Sequence, residues 1–142
     1  MKRAALAALV IALVLPELAR YQGERRLRMV EATLQAIVTR AKDPAPLLRR
    51  LSVDAAETRT YAGDWRPLVA AGRASYLAGD YAQAAERFER ANAMGERPEI
   101  DVNLGAALLK LGETRRAEAL FARATKLSPA LASEIARLAP AR

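Results

Sequence analysis

The chain has 142 residues, enough for one domain with a short additional segment and too few for two full domains. It contains no Cys and no His, which excludes disulfide bonds, Cys nucleophiles, His-based acid–base catalysis and the usual zinc sites. Lys and Arg outnumber Asp and Glu by 23 to 16, and the net charge of +7 favours acidic partners, namely anionic lipid, nucleic acid or acidic protein surfaces.

A basic start followed by an uninterrupted apolar run marks the N-terminus. Lys2 and Arg3 precede the aliphatic residues 4–15, an order typical of an export signal. No Ala-x-Ala-like cleavage site follows, so we expect a retained signal anchor. Residues 4–21 would form about 27 Å of helix, close to the bilayer core of about 30 Å. The sequence thus predicts a transmembrane helix over residues 1–21; the alternative is a buried helix of a soluble domain.

Basic and aromatic residues flank this apolar run, as is common where a helix leaves a membrane. The signal-like start favours export of the remaining chain, whereas the Arg residues after the run favour the cytoplasmic side. We expect a single-pass protein of the inner (cytoplasmic) membrane with a periplasmic body, and a cytoplasmic body is the alternative. The predicted contacts with anionic lipid are Lys2, Arg3, Arg20, Tyr21, Arg25, Arg26 and Arg28.

The segment after the apolar run predicts two helical stretches, the first of which can continue directly from the apolar run with a bend at Pro16. Apolar residues recur at helical spacing over 27–41. The Asp-Pro-Ala-Pro of residues 43–46 ends that helix and begins a shorter helical segment over 47–59. The Tyr-Ala-Gly-Asp of residues 61–64 predicts a turn. We therefore assign residues 22–64 to juxtamembrane helices that have the size of a degenerate repeat.

The second half of the chain is similar to itself at a shift of 33 residues. A period near 34 with small residues at helix crossings is typical of a helix–turn–helix repeat. Glycine after the first helix of each unit suits a left-handed backbone. The residues in register include the only two Phe of the chain: Gly72 with Gly105, Gly79 with Gly112, Ala84 with Ala117, Phe88 with Phe121, and Ala91 with Ala124.

On these residues, segments 65–98 and 98–131 resemble two tetratricopeptide repeats. The first unit departs from the family pattern at Ala71-Gly72, where Leu-Gly is usual, and at Ser75, where an aromatic residue is usual. Thr114 replaces the usual turn aromatic of the second unit. The matching motifs are Trp65, Gly79-Asp80-Tyr81-x-x-Ala84, Phe88-x-x-Ala91, Leu104-Gly105, Gly112-Glu113-Thr114-x-x-Ala117, Phe121-x-x-Ala124 and Ser128-Pro129.

Two such repeats rarely bury enough apolar surface to be stable alone, since about three are usually needed. We expect segment 22–64 on one side and a short capping helix within residues 131–142 on the other to supply the missing neighbours. The predicted fold is all-α: a single N-terminal transmembrane helix, then an α-helical hairpin solenoid with two repeats and a C-terminal capping helix.

The resemblance implies that the first helices of the units line a concave face that binds a protein segment. An apolar surface with a basic edge suits an amphipathic or acidic partner. The alternative is that Tyr76 and Leu77 pack against a neighbouring helix. The predicted partner-binding residues are Arg66, Val69, Arg73, Tyr76, Leu77, Val102, Asn103, Ala106, Leu109 and Lys110.

No residue pattern predicts catalysis. Ser75 and Ser128 have no His or suitably placed Lys to activate them, and the glycines are spaced for helix packing instead of phosphate binding. We expect no cofactor and no metal. The predicted function is a non-enzymatic, membrane-tethered accessory or scaffold subunit of a respiratory, photosynthetic, secretion or envelope complex. The alternatives are a free periplasmic adaptor or chaperone for envelope assembly and, more remotely, a nucleic-acid-binding helical repeat.

Overall fold

A computed structural model describes residues 2–58 and 60–138, with side chains from Leu15 onward. These residues form seven α-helices and one short 3-10 helix, without any strand, which confirms the all-α class. The helices are α1 (Lys2–Arg40), α2 (Ala45–Ala56), α3 (Arg66–Leu77), α4 (Tyr81–Asn92), α5 (Pro98–Lys110), α6 (Thr114–Leu127), the 3-10 helix Pro129–Leu131 and α7 (Ala132–Leu138).

Helix α1 has two different halves. Between Leu15 and Gln22 its side chains are exposed, whereas from Gly23 onward one face is buried at the helical spacing of Leu27, Val30 and Leu34. This face packs against α2 and α3, so the second half of α1 belongs to the folded body. We call this packing unit the N-terminal cluster; it comprises Leu27, Val30, Leu34, Leu48, Leu51, Ala55, Ala70, Ala71, Ala74 and Ala78.

In the part of the chain that the structure describes, no helix is both long enough and apolar enough to cross a bilayer. The predicted transmembrane segment 1–21 lies largely outside the described side chains, which begin at Leu15. At the end of that segment, Leu15, Leu18 and Tyr21 are exposed.

Helices α3 and α4 form one hairpin and α5 and α6 form another, each with a phenylalanine against a glycine. A Cβ atom added to Gly72 would lie 2.6 Å from Cε1 of Phe88, and one added to Gly105 would lie 2.6 Å from Cε1 of Phe121. The two residue pairs that align at a shift of 33 therefore make the same contact. Glycine lets the two helices of each hairpin approach closely at this point.

The turn within each hairpin ends its first helix in the same way. Gly79 and Gly112 have positive φ angles of 85° and 82°. The next amide donates back to the helix, from Asp80 to the carbonyl of Ser75 and from Glu113 to the carbonyl of Leu108, each at 2.9 Å. This pattern is a Schellman motif, and it explains why the sequence places glycine at both turns.

Helix α7 covers the end of the stack. It lies in the segment 131–142, where a capping helix was predicted. Its Ile135 is buried, and Leu131 and Leu138 pack beside it; residues 139–142 lie outside the described residues. The buried residues around it form the repeat cluster, namely Leu68, Ala84, Ala85, Phe88, Ala91, Ile100, Val102, Leu104, Ala107, Leu108, Ala117, Phe121, Ala124 and Ile135.

The contacts Arg49–Asp80, Asn92–Asp101 and Arg123–Asp101 show that consecutive helices are antiparallel. Helices α1, α3 and α5 thus run in one direction and α2, α4 and α6 in the other. The connections after α2, α4 and α6 thus lie along one edge of the body, which we call the inter-hairpin edge. The first half of α1 projects from this same edge, because Glu24 bonds Arg66 at the start of α3 and the buried face of α1 lies after Glu24.

Substitution of Gly105 by Ala tests the close approach of α5 and α6. Alanine favours a helix by about 1 kcal/mol over glycine, but an overpacked contact costs about 1–3 kcal/mol. We expect Gly105→Ala to lower the free energy of unfolding by up to about 2 kcal/mol in urea denaturation followed by circular dichroism. The added change Phe121→Leu removes the ring, so Gly105→Ala should be less damaging in that background. An equal effect of Gly105→Ala with and without Phe121→Leu would contradict this packing.

Candidate protein-binding groove

A groove lies between α3, α5 and α7. Its middle is a cavity of about 200 Å³, and an adjoining cavity of about 440 Å³ extends towards the turn between α5 and α6. We call both together the concave groove. Its lining residues are Arg73, Tyr76, Leu77, Phe88, Val102, Asn103, Ala106, Leu109, Lys110, Thr114, Glu134, Arg137 and Leu138.

Eight of the ten predicted partner-binding residues line this groove. These residues differ in exposure: Val102 is 3% exposed and forms the floor of the groove, whereas Leu77 is 45% exposed. Tyr76 is half-buried and makes an edge-to-face contact with Tyr81, with ring centroids 5.3 Å apart. A bound partner would therefore contact Leu77 and the exposed part of Tyr76. Val102 would limit how deeply the partner's side chains enter the groove.

Helix α7 forms the third wall, which the sequence analysis did not assign to the site. Glu134, Arg137 and Leu138 face the two cavities, while Ile135 is buried in the repeat cluster. The available signal was the spacing of Leu131, Ile135 and Leu138, which predicts one apolar face. It did not reveal that the neighbouring residues continue the groove.

The rim of the groove is more basic than acidic. Arg73, Lys110 and Arg137 are exposed cations, and Glu134 is the acidic residue among the lining side chains. Among the residues described, no group of three or more acidic side chains is placed to hold a metal ion. The arrangement suits a segment with apolar side chains and a net negative charge.

Two predicted residues lie elsewhere. Val69 is half-buried and packs against the repeat cluster. Arg66 differs from its predicted position on the concave face: its guanidinium lies 2.5 Å from Glu24 Oε1 on α1 and 2.9 Å from Asp64 Oδ2. Because these carboxylates hold it, Arg66 joins α1 to the start of α3.

Tyr61 completes this arrangement. The guanidinium carbons of Arg20 and Arg66 lie 5.7 Å and 5.6 Å from the centroid of its ring, within the range of cation–π interactions. We call the group Glu24, Tyr61, Asp64 and Arg66 the α1 clamp. It fixes the point at which α1 leaves the body.

The α1 clamp shifts the pKa values of its members. The hydrogen bond from Arg66 lowers the pKa of Glu24, although partial burial opposes it. Burial raises the pKa of Asp64, but hydrogen bonds from Arg66 and Thr60 outweigh it, so this pKa is also below its ordinary value. Those two carboxylates raise the pKa of Arg66, and all three groups are charged at neutral pH.

The structure also buries polar groups that the sequence analysis did not single out. Arg87 is 8% exposed and donates to the hydroxyls of Ser52 and Ser75 and to the carbonyl of Ala71. It connects α2, α3 and α4, and burial lowers its pKa. In the second hairpin, fully buried Asp101 pairs with Arg123 at 2.5 Å. Both groups fix helix positions behind the groove.

The predicted lipid contacts occupy α1. Lys2 and Arg3 lie outside the described side chains, and Arg20 lies over Tyr61. The remaining members, Tyr21, Arg25, Arg26 and Arg28, are exposed.

Comparison with known proteins gives one family. Residues 75–139, a little under half of the chain, match a family model described as tetratricopeptide repeat. The match begins near the end of α3 and extends through α7, so it covers most of the groove. Together with the all-helical fold it supports a tetratricopeptide-repeat protein, a family that typically serves as a non-enzymatic interaction module. No curated protein and no solved structure gave a significant match.

Lowering the pH tests the α1 clamp. Because the pKa values of Glu24 and Asp64 are lowered on folding, their stabilisation is fully present above about pH 6, where both are ionised in the unfolded chain too. This stabilisation is lost as the pH falls through the lower pKa values that the two carboxyl groups have in the folded chain. We expect Glu24→Gln to reduce stability at pH 7 and to make the acid-induced loss shallower in urea titrations.

The matched control is Glu31→Gln, which removes the same charge from an exposed position on α1. This control should follow the parent at both neutral and acid pH. Identical acid profiles for Glu24→Gln and the parent would contradict the clamp.

Proposed function

We propose that this protein is a membrane-tethered interaction module that serves as an accessory or scaffold subunit of a larger membrane complex. The concave groove binds a segment of another subunit, and residues 4–21 anchor the chain in the inner membrane. The complex is of the respiratory, photosynthetic, secretion or envelope type. The preferred side for the repeats is the periplasm.

The observation that carries the interaction role is the three-walled groove between α3, α5 and α7. Its apolar floor excludes water, while Tyr76, Leu77 and Leu109 remain accessible at least in part. Aromatic and apolar anchors within a polar rim are the usual source of binding free energy at protein interfaces. The cations at the rim select a partner segment that carries acidic residues.

The observation that supports a tethered subunit is the continuity of α1. One helix runs from Lys2 to Arg40, and its second half is buried in the N-terminal cluster. If the apolar run lies in a bilayer, no flexible linker separates it from the groove. A fixed orientation suits a subunit with a defined place in an assembly better than an adaptor that searches for diverse partners on a flexible tether.

The rival nucleic-acid role is not supported by the two phenylalanines of the repeats. Phe88 and Phe121 are buried against glycines within the hairpins. They are therefore not available to stack on bases, which single-stranded nucleic-acid binders require.

Native-gel migration of the full chain after mild detergent extraction tests the proposed role. We expect the protein to stay in the membrane fraction during an alkaline carbonate wash and then to migrate with a larger complex in a fixed ratio. Substituting Tyr76→Ala together with Leu109→Ala removes two groove side chains. Loss of hot-spot contacts of about 2 kcal/mol or more should release the chain from the complex.

The matched control removes two exposed apolar side chains outside the groove, Leu47→Ala with Leu127→Ala. This control should still migrate with the complex. A lone small species from the parent chain, or equal release of both double variants, would refute a groove-held subunit.

A further inference from the structure

A further cavity, also of about 440 Å³ and separate from the two cavities of the concave groove, lies at the inter-hairpin edge. It lies between the loop of residues 60–64 and the end of α4. We call it the edge cleft. Arg90 supplies a cation on one wall, Tyr61 and Met94 lie at its sides, and Pro67 and Leu68 belong to its apolar part. Nothing in the groove function uses these residues.

The edge cleft stands at the level where α1 leaves the body. Tyr61, on one wall of the cleft, lies under the guanidinium of Arg20. Arg20 precedes Tyr21, the last residue of the predicted membrane segment. A helix that leaves the bilayer near Tyr21 therefore places Tyr61 at the membrane surface, where Tyr and Arg are favoured.

The α1 clamp keeps the cleft in that position. Arg66 bridges Glu24 of α1 and Asp64 of the cleft wall at 2.5 Å and 2.9 Å. The buried face of α1 follows directly after this bridge. The loop therefore cannot swing away from α1 without breaking this ion-paired contact.

We propose that the edge cleft binds the phosphate headgroup of an anionic phospholipid. This inference rests on the proposed membrane tether. Arg90 is largely exposed and pairs only loosely with Glu86, at 3.8 Å, so its guanidinium is available to a phosphate. Tyr61 and Met94, which are 48% and 49% exposed, offer a ring and a thioether to the glycerol and upper acyl region.

Asp64, the carboxylate among the described lining residues, does not repel a phosphate in this cleft. Asp64 is buried, and its two oxygens accept hydrogen bonds from Arg66 and Thr60. Its charge is balanced by Arg66, and among the lining residues that the structure describes Arg90 is the cation that faces the ligand. Phosphatidylglycerol is therefore preferred over a zwitterionic lipid.

Because the chain has no Cys, a fluorophore on a single introduced cysteine can report contact with lipid. The full chain is reconstituted in phosphatidylcholine vesicles with increasing phosphatidylglycerol and a headgroup nitroxide lipid as quencher. We expect Met94→Cys to be quenched strongly, and increasingly as phosphatidylglycerol is added. Leu111→Cys, exposed at the opposite edge, is the matched control and should be quenched little at any composition.

Adding Arg90→Gln to Met94→Cys tests the cation. One Arg near an anionic surface changes affinity by about fivefold, so the phosphatidylglycerol fraction for half-maximal quenching should rise by about that factor. Equal quenching at positions 94 and 111, or no effect of Arg90→Gln, would overturn the headgroup site. If the chain resists carbonate extraction in that case, the tether stands and the cleft assignment alone fails; extraction by carbonate would refute both.

Discussion

The burial of one face of α1 against α2 and α3 is the interaction on which the rest of the structure depends. Leu27, Val30 and Leu34 contribute about 1.5–3 kcal/mol each when buried, or about 5–9 kcal/mol together. That sum is comparable with the whole stability of an ordinary domain, about 5–15 kcal/mol. Without it, the faces of α2 and α3 that line the N-terminal cluster would be exposed on the side of α1. The helix that carries the apolar run is thus also part of the core.

A terminal helix also covers the apolar face at the other end of the stack. Two hairpins leave an unpaired face at each side, and short α7 covers the second one with Ile135. Because α7 takes the position next to α5, it also completes the groove with Glu134 and Leu138. Each terminal element that closes the core therefore also places a surface of the proposed function, the groove on one side and the clamped exit of α1 on the other.

The sequence predicted much of this fold from local patterns. Gly72 and Gly105 could be placed against the phenylalanines because both hairpins follow one period, and the turn glycines carry a local signal for a helix end. The position of Arg66 could not be predicted, since its partner Glu24 is 42 residues away and an arginine at a helix start is usually solvated. The repeat does mark Arg87 as unusual, because at a shift of 33 residues it aligns with the apolar residue Leu120. Long-range polar pairs lack the periodicity that marks apolar cores.

The central claim is that the apolar start of α1 and the repeat body form one rigid unit. Double electron–electron resonance on the full chain in nanodiscs measures this directly, with spin labels at Leu18→Cys on α1 and Ala82→Cys on α4, two exposed positions. A rigid unit gives a single narrow distance distribution. A broad distribution would show that α1 bends or detaches at the clamp, and it would contradict the proposed placement of the groove and the edge cleft relative to a membrane.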